Sequence, residues 1–417
     1  MSDSQMADVI VLGAGMVGVS SALALQARGR SVLLVDRREP GRETSYGNAG
    51  IIQAEAVEPY AMPRDLATLF QIALNRDNSV RYSLRALPGV AGSLARYFWH
   101  SAPSRHQAIS AAYSKLVERA TTDHAPLVAA AGADNQIKRE GFRQAYRSEA
   151  ALDAAWTEAE RLDRDYGVRA RRLGGAELAT AEPVLERPLA GAVHWMDSWT
   201  CSDPGGLVTA YAELFERRGG TITTGDALSL RSEGKGWRIE TRDGPVSARN
   251  VVVALGPWSP DLLRRFGYRI HMVKKRGYHA HYACEPTLNL PMMDVASGVV
   301  LSPMRTGLRI ATGAELTAMG APSAPRQLAV AEAAVRELLP LGKRVEDTPW
   351  HGTRPCLPDM LPLVGEAPRH PGLWMNFGHG HQGFTLGPTT AALLADAMDG
   401  AEDPLARMLA PTRLKAI

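Results

Sequence analysis

The chain has 417 residues, 45% hydrophobic and 22% charged, which provides for about two or three domains' worth of core. Lys and Arg number 47 against 44 Asp and Glu, and no basic run with interleaved aromatics occurs, so nucleic-acid partners are set aside. Cys201, Cys284 and Cys356 are too few and too scattered for a disulfide framework or a CxxC metal site, residues 1–8 have no basic leader region, and no apolar run reaches the roughly 18 residues of a spanning helix. The expectation is a cytoplasmic protein, with peripheral contact to the inner face of a membrane left open.

In chain order, residues 8–12 (DVIVL) read as a buried parallel strand, because continuous β-branched residues run into a glycine turn. A helix follows over 16–27 with Gly29 as its stop, then a second buried strand over 31–36, completing one βαβ unit. Residues 66–123 look mainly helical with breaks near Pro88-Gly89 and Pro103. Strands are expected at 140–147 and 191–196, with an amphipathic helix at 150–166 between them. Pro204 opens a helix that Gly219-Gly220 ends, a strand occupies 221–224, hairpin-like segments lie at 236–242 and 245–248, and 250–255 (NVVVAL) is another buried strand. Residues 268–314 are β-rich, and helices are expected at 326–339 and 388–398.

The spacing Gly13-x-Gly15-x-x-Gly18 lies between the first strand and its helix, and Asp36 ends the next strand. In that context the first glycine serves a tight turn, the second the approach of a pyrophosphate, and the third close helix–strand packing. Ala14, Met16 and Val17 complete a loop that aims backbone N–H groups at phosphate, while Asp36, followed by Arg37, is set to hold an adenosine ribose. This unit alone does not separate NAD from FAD.

Residues 43–50 (ETSYGNAG), 251–259 (VVVALGPWS), 350–355 (WHGTRP) with Pro358-Asp359 and Pro362-Leu363-Val364-Gly365, and finally 378–385 (GHGHQGFT) together resemble the FAD-dependent D-amino-acid dehydrogenases, with glycine and sarcosine oxidases as relatives. The resemblance implies an α/β fold: a Rossmann-type FAD-binding domain assembled from 1–60, 200–262 and 345–417, and a second α+β substrate domain from 61–199 and 263–344 on a mixed, largely antiparallel sheet. It implies flavin contacts at Thr44, Ser45, Asn48, Ala49, Gly50, Gly256 and Trp258, and along Gly378, His379, Gly380, His381, Gln382, Gly383, Phe384 and Thr385. Arg354 matches the arginine that grips a substrate carboxylate, a task suited to a planar guanidinium. Tyr278, Tyr60 and Arg305 are further substrate-binding candidates, and Tyr278, His379 and His381 are the catalytic candidates. Sarcosine oxidases that attach flavin use a cysteine at the position of Gly352; Cys356 is displaced from it, so FAD is expected to be non-covalent. Glu55 and Glu58 read as surface acids, with recognition of a basic side chain as the alternative.

The implied reaction is oxidation of a small amino acid, a D-amino acid first, to the imino acid and then keto acid plus ammonia. A secondary or cyclic amine such as D-hydroxyproline, sarcosine, glycine or an opine is the rival substrate, and a flavin subunit of an electron-transfer complex the rival role. Quinone, oxygen and a partner protein all stay open as electron acceptor.

Overall fold

The computed structural model describes residues 7–74, 78 and 80–414. Residues 1–6, most of the 1–8 stretch on which the leader reading rested, and 75–77 and 79, inside the expected helical stretch, lie outside the described residues. Two large sheets organise the chain. In the first, strands Thr221–Thr224, Val32–Asp36, Ala7–Leu12, Gly244–Val253 and Leu373–Phe377 are successive parallel neighbours. Val9, Ile10, Val11 and Leu12 are wholly buried, as a strand covered on both faces requires. Helices Met16–Ala27 and Gly383–Met398 lie against this sheet and against each other.

Residues 245–248 and 250–255, expected as separate segments, are one strand, Gly244–Val253. Its first half forms an antiparallel ribbon with Gly236–Thr241, and its second half enters the buried parallel run. The polar pair Arg249-Asn250 at that crossing is what made one strand look like two. The breaks in the helical stretch are helix starts: Pro88 and Pro103 occupy the first turns of Leu87–His100 and Pro103–Ala131, where a missing N–H costs nothing.

The second sheet has ten strands, mixed and largely antiparallel. Its strand Val273–Tyr282 pairs along much of its length with Trp350–Cys356, in the register Lys275↔Arg354 and Gly277↔Gly352. The C-terminal helix begins at Gly383, five residues before the expected 388, and carries Pro388 inside it. Proline leaves the carbonyl four residues earlier without its helical donor. That carbonyl, of Phe384, instead accepts from His124 Nε2 at 3.0 Å, which lets the helix run through.

Candidate active site

A cavity of about 1000 Å³ extends from the C-terminal ends of the parallel strands to the second sheet, at the upper end of ligand-site volumes. One end is lined by Gly13, Gly15, Met16, Val17, Asp36, Arg37, Gly256 and Trp258. Gly13 has φ of +106°, and a Cβ there would stand 2.5 Å from the Ala254 carbonyl oxygen, so the turn admits only glycine. The first turn of helix Met16–Ala27 contains no acid, leaving its positive end available to an anion. Ser45 Oγ accepts from the Met16 N–H at 3.0 Å and ties the 43–50 segment to the start of the helix after the glycine turn. Asp36 accepts from Ala14 N at 2.6 Å and from Arg38 N at 3.1 Å, so it shapes the glycine loop as well as facing the cavity. Arg37 lies 4.3 Å over the Trp258 ring and pairs with Glu43.

Thr44, Ser45, Asn48 and Ala49 line the middle of the cavity, as do Gly378, His379, Gly380, His381, Gly383 and Phe384. Ala14, Gly18, Gly50, Gln382 and Thr385 stand behind that wall. A Cβ on Gly18 would collide with the Gly13 carbonyl, Gly50 accepts from Cys201 N, Gln382 donates to Gln53, and Thr385 bonds the backbone of Ile51 and Gln53.

At the far end sits Arg354. Its Nη1 and Nη2 donate to the carbonyls of Gly313 and Thr312 at 2.6 and 3.0 Å, which uses two of five N–H donors and fixes the guanidinium plane. No carboxylate pairs with it among the described residues, and burial draws its pKa below the ordinary arginine value. Gly277 makes the position possible: a Cβ there would come within 2.8–2.9 Å of three guanidinium atoms. Tyr60 is enclosed by protein, yet 59% of its surface is open because that surface faces the cavity. Its ring lies 4.8 Å from that of His381, and burial pushes the phenol up to about 12.

Several expected roles change. The Tyr278 side chain leaves its strand on the face opposite Lys275 and Gly277; it is 2% exposed, and its hydroxyl is taken up by Glu315 at 2.6 Å and the Ala324 N–H at 3.2 Å. Its ring packs in the second core, while the residue still lines the cavity. Arg305 does not line the cavity; its side chain is 74% exposed and paired with Asp203. His379, by burial, and His381, by burial and then the charges of Arg354 and Lys275, are each lowered to about 3, so neither is a base poised near neutral pH. His379 Nε2 is engaged by Thr390 at 2.9 Å. Glu55 is buried against Gln53 and Ser198, where burial favours its protonated form, and Glu58 pairs with Arg161 and Tyr166. Neither is a free surface acid, and neither lines the cavity.

Lys275 was missed. It lines the cavity next to Arg354, and its Nζ donates to Tyr97 Oη at 3.4 Å. Strand alternation from Gly277 carries the signal, since residues two apart share a face.

The cradle fits a flavin dinucleotide. Crowding at Gly13 and Gly18 leaves only backbone facing the phosphate position, an acid and an indole frame one end, and the cavity continues past the helix start for the length a second ring system needs. The family model of FAD-dependent oxidoreductases termed DAO matches residues 8–397. A D-amino acid dehydrogenase of Chromohalobacter salexigens is 31% identical over 95% of this chain and 97% of its own. A D-amino-acid oxidase of Bradyrhizobium diazoefficiens is 29% identical over 97% of this chain and 98% of its own. The crystal structure of glycine oxidase from Geobacillus kaustophilus superposes with a TM-score of 0.70 at 22% identity, covering 96% of both chains. The chain therefore belongs to the DAO family of FAD-dependent oxidoreductases, and it is a flavoenzyme whose cofactor is FAD.

Proposed function

We propose that this enzyme oxidises the Cα–N bond of a free amino acid, a D-amino acid first, to an imino acid that water hydrolyses to a keto acid and ammonia. The observation that carries the reading is Arg354: a guanidinium fixed by two carbonyls, without an acidic partner among the described residues, in the cavity that begins at the dinucleotide fingerprint. Relatives named D-amino acid dehydrogenase and D-amino-acid oxidase support the same substrate class. In this reading Arg354 holds the α-carboxylate by two parallel charge-assisted bonds, and Tyr60 and His381 wall the reacting carbon from solvent. FAD supplies the acceptor for the hydride that leaves Cα. The discontinuous segments 1–60, 200–262 and 345–417 would hold it non-covalently.

No ionised base is needed, because the nitrogen lone pair drives hydride departure once the amine is neutral. Arg354 and Lys275 favour that neutral form, since an ammonium beside two cations is disfavoured. Anaerobic mixing with D- and L-amino acids, followed through the visible flavin spectrum, tests the proposal. Bleaching by one enantiomer supports it. A flavin that stays oxidised with every amino acid, yet is reduced by dithionite, refutes it.

A further inference from the structure

Arg354 and Lys275 sit directly opposite each other on antiparallel strands, where side chains of a pair share a face with Cβ atoms roughly 5 Å apart. Both line the cavity, and His381 feels the charge of both. The preceding residue on the strand, Lys274, lies on the opposite face and has Asp261 at 3.6 Å; Lys275 has no carboxylate among the described residues. Its one hydrogen bond positions without neutralising, because the Tyr97 hydroxyl, which donates to the Tyr60 carbonyl, offers it only a lone pair. The acids that line the cavity, Asp36, Glu43, Asp226 and Asp261, follow the Rossmann strands at the dinucleotide end. Leu316, the cross-strand partner of Lys275, and Leu94 of the same apolar cluster line the cavity beside it. Two cations on one cavity wall, neither with a carboxylate partner among the described residues, offer an anion two charged anchors at once.

We propose that Arg354 and Lys275 form a two-cation site, and that the amino acid oxidised here carries a second carboxylate on its side chain: Arg354 takes the α-carboxylate and Lys275 the other. This deepens, and rests on, the amino-acid reading above. An aspartate- or glutamate-like substrate is the class it selects.

The test compares glutamate with glutamine and aspartate with asparagine, in the enantiomer that bleaches the flavin, on wild-type holoenzyme, Lys275→Gln and Lys275→Arg. A charge-assisted bond in a shielded site is worth about ten- to a hundredfold. The wild type is therefore expected to favour the acid over its amide by at least about tenfold in kcat/KM. Lys275→Gln should collapse that ratio and Lys275→Arg restore much of it. A second readout uses binding alone: malonate and succinate should perturb the flavin spectrum at concentrations at least about tenfold lower than acetate and propionate, an advantage lost in Lys275→Gln. Should Lys275→Gln fail to retain flavin, the wild-type ratio and the wild-type dicarboxylate advantage decide. A wild type that prefers the amide, or a ratio unchanged by Lys275→Gln, overturns the proposal, the latter because Lys275 would then share the α-carboxylate. If no amino acid bleaches the flavin, the amino-acid reading fails, while tight dicarboxylate binding dependent on Lys275 still upholds the two-cation site and its absence overturns it.

Discussion

Arg354 is held in place before any substrate arrives. The carbonyls of Gly313 and Thr312 fix its plane, and the missing Cβ of Gly277 gives the guanidinium room against the neighbouring strand. Replacing Arg354 with lysine keeps the charge but loses the two-pronged geometry and both carbonyl anchors. Arg354→Lys should therefore lower kcat/KM about ten- to more than a hundredfold, for a charge-assisted bond worth roughly 1.5–3 kcal/mol. Arg354→Ala should cost more, because the substrate carboxylate would be desolvated without a partner. Flavin content and spectrum should stay near wild type in both. An amine of similar shape without the carboxylate should lose much less, which separates lost recognition from general damage. Oxidation of the best amino acid within about twofold of wild type in both variants, far short of the loss expected for such a bond, would make Arg354 a purely structural residue.

At the scale of the element, the long helix Pro103–Ala131 supports the C-terminal helix at the point where Pro388 weakens it. The Phe384 carbonyl only accepts, so His124 Nε2 carries the proton, and Nδ1 must accept from the Tyr211 hydroxyl at 3.0 Å. Burial holds this imidazole neutral and lowers its pKa to about 4. The unfolded chain, with its histidine near 6.5, binds the proton more readily than the folded one. The stabilisation is therefore complete above about pH 6.5 and is lost as pH falls toward 4. From pH 7 to 5 the loss for this one group is about 2 kcal/mol. Urea unfolding of FAD-saturated protein at the two pH values should show it, and His124→Gln, which keeps a donor and an acceptor but no titration, should reduce the difference by about that amount. An unchanged pH dependence would show that His124 is not the group responsible.

This bracing was not legible in the sequence, where the helical stretch was expected to end at residue 123, one before His124, and the later helix to begin only at 388, whereas the first runs on to Ala131 and the second starts at Gly383. The βαβ unit was legible because its signals are local: a continuous apolar strand, a glycine turn and an acid at the end of the next strand. The place of Arg354 on the cavity wall was legible through the motif around it. Lys275 was not, since its meaning depends on register with a strand far along the chain. Tyr278 does line the cavity, but alternation turns its side chain away from the face that Gly277 gives to Arg354, and its hydroxyl goes to Glu315.

Across the whole molecule, FAD would join the two sheets, because the cavity touches the parallel strands at Gly13 and Asp36 and the antiparallel sheet at Lys275 and Arg354. Asp36 closes the glycine loop by accepting from Ala14 N and also lines the cavity, where the ribose role would fall to it. Asp36→Ala removes both, so apoprotein should rebind FAD at least about tenfold more weakly, as loss of a charged hydrogen-bond partner requires. The acid-to-amide substrate ratio, set at the far end of the cavity, should hardly change. Wild-type affinity in Asp36→Ala would remove the ribose role. By the resemblance that sets Gly352 at the attachment position of sarcosine oxidases, retention itself should be non-covalent, and Cys356 lies at the end of its strand beside His379. Acid precipitation should then release the yellow colour into the supernatant as FAD. Colour that stays with the precipitate in the wild type but is released from Cys356→Ser would instead establish an attachment at Cys356, which lines the same cavity and lies within electrostatic reach of Lys275 and Arg354.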